Sequence, residues 1–434
     1  MRIAWASPID VRSAIGRVSA DVTRALIARG HEVRIIATEV EVSSGTRHAT
    51  PAEVVPWRDF QPHWLKGEYD VLVANIGDHF GFHGGVFPFF GQIPTLGVFH
   101  DFYLYDLFNG WLLDEQLSGD ARGRLHDAEV AAVYGPQVVP TGLAARSGQI
   151  GYAEIAAALP MTEWMARRCE GAVAHSEFYL ERLNQGCPGP VRQAYMPVSG
   201  RGVPALALRA QRRVALLTVG VMNPNKCVDQ MLHAIGQSDA LKQQVAYRLV
   251  GPIHGSEADR LRALASQLGY DQLTIVGAVD EETLAAELAA SDVISCLRKP
   301  ILEGASGSAI EALMAGRPTI VADAGFYREL PDEWVFKVGA EVEPDQLRVR
   351  LEQLVGDEAL RIRAGAGARA WAEQRFNLDD YAETLERAMT ETIQASAVLA
   401  VSRRIGSDLA QLGLQPNDPA LPRIAGVLSE ILPG

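Results

Sequence analysis

The sequence has few cysteines and no long apolar run. Its four cysteines, Cys169, Cys187, Cys227 and Cys296, form neither a C-x-x-C pair nor a metal-ligand spacing. This excludes a disulfide scaffold and a zinc ribbon, and scattered cysteines are typical of a reducing cytosol. No window reaches the roughly 18 uninterrupted apolar residues of a membrane-spanning helix. We therefore predict a protein with neither a membrane span nor a disulfide framework.

Basic residues are fewer than acidic ones, and the N-terminus does not resemble a secretion signal. The chain has 40 Lys+Arg against 53 Asp+Glu, and its net charge of −13 argues against nucleic-acid binding, which requires clustered cations. Residues 1–6 lack the charged region and the long apolar core of a signal peptide. We predict a cytoplasmic protein with no nucleic-acid partner. Its 434 residues, 48% of them apolar, predict two globular domains.

Short apolar segments alternate with helical patterns along most of the chain. This alternation predicts βαβ units and an α/β fold of two doubly wound, Rossmann-like halves that face each other across a cleft. The predicted strands are 2–6, 32–37, 71–76, 94–100, 171–175, 214–219, 245–250, 273–276, 292–297 and 317–322. Ligands of such sheets bind beyond the carboxyl ends of the strands.

The predicted domains are residues 1–200, 201–375 and 376–434. The first two are the Rossmann-like halves, separated by the break at 199–202, and the third consists of helices that brace them. These helices are expected at 366–392 and 421–432. The stretch 109–158 is rich in Gly, Ala and polar residues, and we interpret it as an irregular insert with short helices.

The segment 298–318 is the most informative. It follows a buried strand and passes through a Gly/Ser turn into a short helix, so the free N–H groups of Ser306, Gly307 and Ser308 predict an anion site. Glu303 and Glu311 flank this site, and carboxylates there suit sugar hydroxyls better than phosphates. A simply capped helix with a solvated Glu311 is an equal alternative on spacing alone.

This segment resembles the E-x7-E signature of retaining glycosyltransferases of family 4, whose fold is GT-B. The run 312–318, Ala-Leu-Met-Ala-Gly-Arg-Pro, matches that family closely, and the resemblance covers residues 1–390. It implies an acceptor-binding first domain and a second domain that binds a nucleotide-diphosphate sugar. By the same resemblance, Glu303 contacts the donor sugar near the reacting centre and Glu311 binds the ribose hydroxyls.

The resemblance also implies the reaction and its partners. A hexosyl group would move, with retention, to a hydroxyl of a glycan, a glycolipid or a small molecule, as in bacterial polysaccharide biosynthesis. No cofactor or metal is expected, because a helix start and basic residues take the metal's place. A nucleotide-sugar 2-epimerase of the same fold and a non-catalytic sugar- or nucleotide-binding protein are the alternatives. An NAD-dependent oxidoreductase is disfavoured, because the first turn lacks G-x-G-x-x-G.

Two Gly-containing turns resemble the family's phosphate contacts. The turn 220–226 ends in Lys226, which would grip the donor diphosphate. The family often has an Arg where Val221 and Met222 stand here, so Arg298 either replaces that contact or is a surface side chain. In the turn 8–17, Gly16 either lets the backbone approach the donor or merely starts a helix.

His100 and Asp101 end a predicted strand at the cleft, where sites are built. The resemblance makes both candidate catalytic residues, with a structural His and a turn-capping Asp as the alternatives. His79 and His83 are four apart in a Gly-rich segment that predicts a mobile loop on the acceptor side, not a metal site. His175 is expected to end a core strand.

The first 34 residues contain six Arg against three acidic residues. This balance is compatible with peripheral contact at the inner membrane face or with a lipid pyrophosphate acceptor. We prefer the alternative of a solvated helix face.

Overall fold

Two parallel β-sheets dominate the computed structural model, which describes residues 1–40, 45–207, 213–414 and 418–431. The first sheet has seven strands in the order β3-β2-β1-β4-β5-β6-β7, and the second has six in the order β10-β9-β8-β11-β12-β13. The strands of the first sheet are β1 Arg2–Ser7, β2 Glu32–Ala37, β3 Glu53–Pro56, β4 Val71–Ile76, β5 Thr95–Phe99, β6 Gly171–Ala174 and β7 Val191–Gln193. Those of the second are β8 Val214–Val219, β9 Val245–Val250, β10 Leu273–Gly277, β11 Val293–Ser295, β12 Thr319–Ala322 and β13 Val335–Val338. The predicted α/β fold with two doubly wound halves is confirmed.

Helices cover both faces of each sheet. Those before the second sheet are α1 Ala14–Ala28, α2 Leu65–Glu68, α3 Phe80–His83, α4 Tyr105–Asp114, α5 Gly119–Tyr134, α6 Val139–Arg146, α7 Tyr152–Ala158, α8 Thr162–Ala166 and α9 Leu180–Gly186. The later ones are α10 Val228–Gly236, α11 Asp239–Gln244, α12 Gly255–Gln267, α13 Glu281–Ala290, α14 Gly307–Met314, α15 Pro344–Gly356, α16 Glu358–Arg375, α17 Leu378–Gln411 and α18 Leu421–Ile431. None of the described helices has the length and apolar character needed to cross a bilayer.

Local sequence explains why α1 forms where it does. Ser13 caps the helix by accepting a hydrogen bond from Gly16 N at 3.1 Å, and the helix ends before Gly30, whose φ of +90° few other residues adopt. Val22 and Leu26 lie one turn apart and are fully buried against the first sheet. The helix therefore begins directly after β1, at the edge of the sheet that faces the second domain.

The C-terminal part of the chain returns to the first domain. Helix α16 packs on α14 of the second domain, whereas α17 packs on α1, β5 and β6 of the first. Ion pairs reinforce this contact, with Arg29–Glu386 at 2.9 Å and Arg192–Glu391 at 2.7 Å. The chain thus crosses between the domains twice. The domain boundaries themselves stay a prediction.

Several predicted elements differ from the observed ones. The stretch 109–158 is not irregular, because it contains most of α4 and all of α5 to α7, and α5 alone has 16 residues. Its apolar face is narrow, with few buried residues, which explains the weak pattern. The helix expected at 366–392 is two helices that part at Asn377, the N-cap of α17. The last predicted helix ends at 431, and residue 432 lies outside the described residues.

Candidate active site

The cleft between the two sheets collects most of the candidate residues. It encloses about 590 Å³ and lies beyond the carboxyl ends of strands from both domains. Its walls include Arg17, Asp78, His79, Asp101, Tyr103 and Asp106 from the first domain and Asn223, Lys226, Arg298, Glu303, Ser306, Gly307, Ser308 and Glu311 from the second. A larger open depression of about 930 Å³ at the outer edge of the second sheet contains none of the candidates.

Backbone hydrogen bonds hold the two walls together at the floor of the cleft. Phe102 N and Tyr103 N donate to Leu302 O at 3.0 and 2.9 Å, and Gly304 N donates to His100 O at 2.8 Å. The segment after β5 therefore pairs with the segment that carries Glu303. This pairing fixes Glu303 opposite Asp101 across the cleft.

The start of α14 opens onto the cleft as the sequence predicts. Ser306 caps the helix by accepting from Ala309 N, and Gly307 and Ser308 occupy the first turn. Arg298 Nη2 lies 3.4 Å from Ser308 Oγ, which brings a cation to the helix start. Helix-start N–H groups and a positive helix dipole beside a guanidinium are suited to an anion.

Lys226 is buried in the second-domain wall. It belongs to a 3-10 turn, Pro224–Lys226, and precedes helix α10 instead of starting it. Its Nζ donates to Val219 O at 2.7 Å. Burial and, secondarily, the nearby Arg298 charge lower the pKa of Lys226 to about 7. An anion bound in the cleft would favour the charged form.

Arg298 and Glu303 form an ion pair in the same wall. Arg298 Nε lies 3.1 Å from Glu303 Oε1, and Tyr327 Oη donates to the same oxygen at 2.5 Å. Arg298 is 8% exposed, so the surface alternative for this residue is wrong. The sequence pattern does not predict Tyr327. It follows β12 at the carboxyl edge of the sheet, where ligands of such sheets bind.

Glu311 joins the two domains. Its Oε1 accepts from Arg201 Nη2 at 2.8 Å and also from Arg17, which reaches across from α1. Arg17 and Arg201 both pair with Glu281 as well. The alternative of a solvated Glu311 is therefore wrong, because its side chain is 9% exposed. Neither arginine was singled out from the sequence, since only the tertiary fold brings them to Glu311.

Three carboxylates line the first-domain wall. Asp78 Oδ1 accepts from Asp106 N at 3.0 Å and from Leu107 N at 3.2 Å, and Asp101 Oδ2 accepts from Asp78 N at 2.9 Å. Burial raises the pKa of Asp101 to about 7, with the Glu303 charge acting in the same direction. Burial and the two neighbouring carboxylates also raise the pKa of Asp78. A group near pKa 7 is suited to accept a proton at neutral pH.

His100 does not reach the cleft. Its Nε2 lies 3.0 Å from Asn75 Oδ1 and its Nδ1 lies 3.2 Å from His175 Nε2, while His175 Nδ1 lies 3.0 Å from Ala194 O. The two imidazoles thus lie in a row between the Asn75 side chain and the Ala194 carbonyl. Burial lowers the pKa of His175 to about 4 and that of His100 as well. The structure favours the alternative of a satisfied core His over a catalytic His100.

Two further sequence predictions need correction. Gly16 faces its own chain, because a Cβ there would lie 3.0 Å from Pro8 O, and it does not line the cleft. The segment with His79 and His83 is helical, not a mobile loop, since α3 is followed by a 3-10 helix, Gly84–Phe89. His79 lines the cleft, whereas His83 is buried and bonds to Asn75 O at 3.0 Å.

The six N-terminal arginines do not form a free basic surface. Each makes an ion pair with a carboxylate, which removes the charge imbalance seen in the sequence. The pairs are Arg2–Asp70, Arg12–Asp10, Arg17–Glu311, Arg24–Asp21, Arg29–Glu386 and Arg34–Glu53. Within the described ranges, no group of three or more His, Cys, Asp or Glu side chains is arranged to hold a metal ion.

Two facing Rossmann-like domains with a helical C-terminus define the GT-B fold class, and comparison with solved structures agrees. Sucrose-phosphate synthase from Thermosynechococcus elongatus has 17% identity and a TM-score of 0.62, covering 91% of this chain and 100% of that one. HepE from Anabaena with UDP and glucose has 17% identity and a TM-score of 0.59, covering 90% and 99%. WaaG, a glycosyltransferase involved in lipopolysaccharide biosynthesis, has 13% identity and a TM-score of 0.58, covering 88% and 98%.

The second domain also matches a family profile. Residues 207–371 match the family described as Glycosyl transferases group 1. The matched stretch includes Lys226, Arg298, Glu303 and Glu311. A comparison with curated proteins gave no match.

Proposed function

We propose that the protein is a retaining glycosyltransferase of family 4 that moves a hexosyl group from a nucleotide-diphosphate sugar to an acceptor hydroxyl without a metal ion. One observation carries this proposal: a helix start, two buried cations and the pair Glu303 and Glu311 converge in one interdomain cleft. Solved structures of HepE contain UDP and UDP-glucose. UDP-glucose is therefore the first donor to test.

The second-domain wall supports the departure of a nucleoside diphosphate. The bond between the anomeric carbon and the diphosphate oxygen breaks while a bond to the acceptor oxygen forms. Negative charge grows on the diphosphate, where Lys226, Arg298 and the start of α14 would stabilise it. Glu303 would accept hydrogen bonds from the sugar and Glu311 from the ribose.

The first-domain wall supports an acceptor site. Asp101 faces Glu303, and its raised pKa suits removal of a proton from the acceptor hydroxyl. Asp78, Tyr103 and Asp106 provide further hydrogen-bonding groups beside it. A nucleotide-sugar 2-epimerase needs no acceptor, so this additional polar wall favours a transferase. A glycan or a glycolipid remains the proposed acceptor.

Substitution of the two glutamates tests the proposal. Glu303→Gln keeps the shape but removes the charge, and Glu311→Ala removes the ribose contact, so each should lower transfer from UDP-glucose about 100-fold or more. Transfer is followed as UDP release, and binding as a thermal shift with UDP-, GDP-, ADP- and CDP-sugars. Glu352→Gln, on the outer helix α15, is the matched control and should behave as wild type.

The outcomes separate the candidate functions. Near-normal turnover in both glutamate variants would reject the site, and a lack of stabilisation by every nucleotide sugar would reject the transferase function. Conversion of UDP-GlcNAc to an epimer in the absence of an acceptor would favour the epimerase. Stabilisation by a nucleotide sugar without turnover on any acceptor tried would favour a binding protein.

A further inference from the structure

A buried tyrosine of the second domain points at Glu303. Tyr327 belongs to the 3-10 segment Gly325–Glu329 after β12 and is 0% exposed. Its hydroxyl donates to Glu303 Oε1 at 2.5 Å. The proposed function assigns no role to Tyr327, and neither does the family resemblance.

A cation competes for the same carboxylate oxygen. Arg298 Nε lies 3.1 Å from Glu303 Oε1, while its Nη1 and Nη2 are engaged by Leu297 O at 2.8 Å and Ser308 Oγ at 3.4 Å. A guanidinium and a carboxylate prefer a bidentate pair, in which both oxygens are taken. Here Nη1 and Nη2 bond elsewhere, and Nε contacts Oε1, the oxygen that also accepts from the Tyr327 hydroxyl.

The second oxygen of Glu303 is therefore left for another donor. Among the described side chains, none besides Tyr327 and Arg298 is found to bond the Glu303 carboxylate, and the Glu303 side chain is 18% exposed at the cleft. The Tyr327 hydrogen bond and the Arg298 ion pair come from two different loops and together hold Oε1 in place. Oε2 then has a defined position on the cleft wall.

We propose that Tyr327 is a positioning residue that keeps Glu303 Oε2 turned toward the hydroxyls of the donor sugar. The inference rests on the proposed function, because it requires that Glu303 meets the sugar. Burial raises the pKa of Tyr327 well above its usual value, and the Glu303 charge raises it further. The hydroxyl therefore remains a neutral donor throughout the working pH range.

The variant Tyr327→Phe tests this role, since it removes one hydroxyl and keeps the ring. Loss of a hydrogen bond to a charged group lowers turnover of UDP-glucose about 10- to 100-fold. The inhibition constant of UDP stays at the wild-type value, because UDP lacks the hexosyl group that Glu303 would hold. A crystal structure of the variant should show the Glu303 carboxylate turned away from its wild-type position.

Tyr247→Phe is the matched control. Tyr247 is also fully buried in the second domain, and its hydroxyl bonds to Thr218 Oγ1 at 2.9 Å away from the cleft. This variant loses a comparable buried hydrogen bond and should keep wild-type turnover. It thereby separates a general loss of stability from a loss of positioning.

Unchanged turnover in Tyr327→Phe, or equal weakening of UDP and UDP-glucose, would overturn the inference. If wild-type protein neither binds nor turns over any nucleotide sugar, it is the proposed function that fails.

Discussion

The two walls of the cleft arrange their charged groups differently. The first-domain wall presents Asp78, Asp101 and Asp106 near Arg17, whereas the second-domain wall places Lys226 and Arg298 beside a helix start, together with Glu303 and Glu311. A uniform charge of −13 would repel an anionic donor everywhere, but sorted charges attract a diphosphate to one wall and repel it from the other. The net charge of the chain therefore does not predict where an anionic donor binds, whereas the distribution of charge between the walls does.

This sorting also bears on the acceptor. Carboxylates and tyrosine hydroxyls accept and donate hydrogen bonds to a polyol, but they disfavour a pyrophosphate at close range. The pairing of all six N-terminal arginines removes the basic stretch that made a lipid pyrophosphate attractive in the sequence. The first-domain wall therefore suits a hydroxyl-rich acceptor.

Removal of the buried cation Lys226 should have the largest effect on UDP binding. Lys226→Ala deletes a charged donor from the second-domain wall and should weaken UDP binding about 10- to 100-fold, measured by titration calorimetry. Asp106→Asn neutralises a carboxylate of the opposite wall and should leave UDP binding unchanged. Lys242→Ala, which removes a surface lysine paired with Asp239 at 2.8 Å, is the control. If Lys226→Ala and Asp106→Asn weakened UDP binding equally, the two walls would not differ in their effect on the donor.

The second-domain wall was largely predictable from the sequence, whereas the first-domain wall was predictable only in part, through Asp101 and His79. Local sequence places Lys226, Glu303 and residues 306–308, because each of them lies within a continuous strand–turn–helix segment. Asp78 and Asp106 meet only through tertiary structure. Asp78 follows the fully buried strand β4, and that position at the carboxyl edge of the sheet could have revealed it.

Two differences between the sequence predictions and the structure have simple geometric reasons. Successive side chains of an extended segment point to opposite sides, so His100 and Asp101 could not both face the cleft, and His100 points into the core. The strands missed in the sequence, β3, β7 and β13, all lie at sheet edges and have three or four residues. Central strands, buried on both faces, carry the apolar runs that sequence patterns detect.

The charge of the first-domain wall should cost stability at high pH. The pKa of Asp101 is about 7 in the folded protein, against about 3.9 in an unfolded chain. The folded state therefore holds the extra proton, and the stability that this proton confers is lost as pH rises from about 4 through 7. Asp101→Asn mimics the protonated form, so its melting temperature relative to wild type should rise by a few degrees between pH 4 and pH 8.

An exposed aspartate provides the comparison for that measurement. Asp259→Asn changes a side chain that is 81% exposed on α12 and should give a difference from wild type that does not vary with pH. A flat difference for Asp101→Asn as well would mean that burial does not perturb this carboxylate. The acidic wall would then be an ordinary solvated surface.

The smallest effect is expected where the walls touch. Arg17 is 30% exposed and pairs with Glu311, which Arg201 also holds at 2.8 Å. Arg17→Ala should therefore lower the free energy of unfolding in urea by only about 1 kcal/mol or less, as for partly exposed ion pairs. Arg24→Ala, on the same helix but paired with Asp21 outside the cleft, is the control. Arg17→Ala could instead weaken UDP binding as strongly as Lys226→Ala. Arg17 would then be a cation that the first domain supplies to the donor site, and the donor would be bound by both walls.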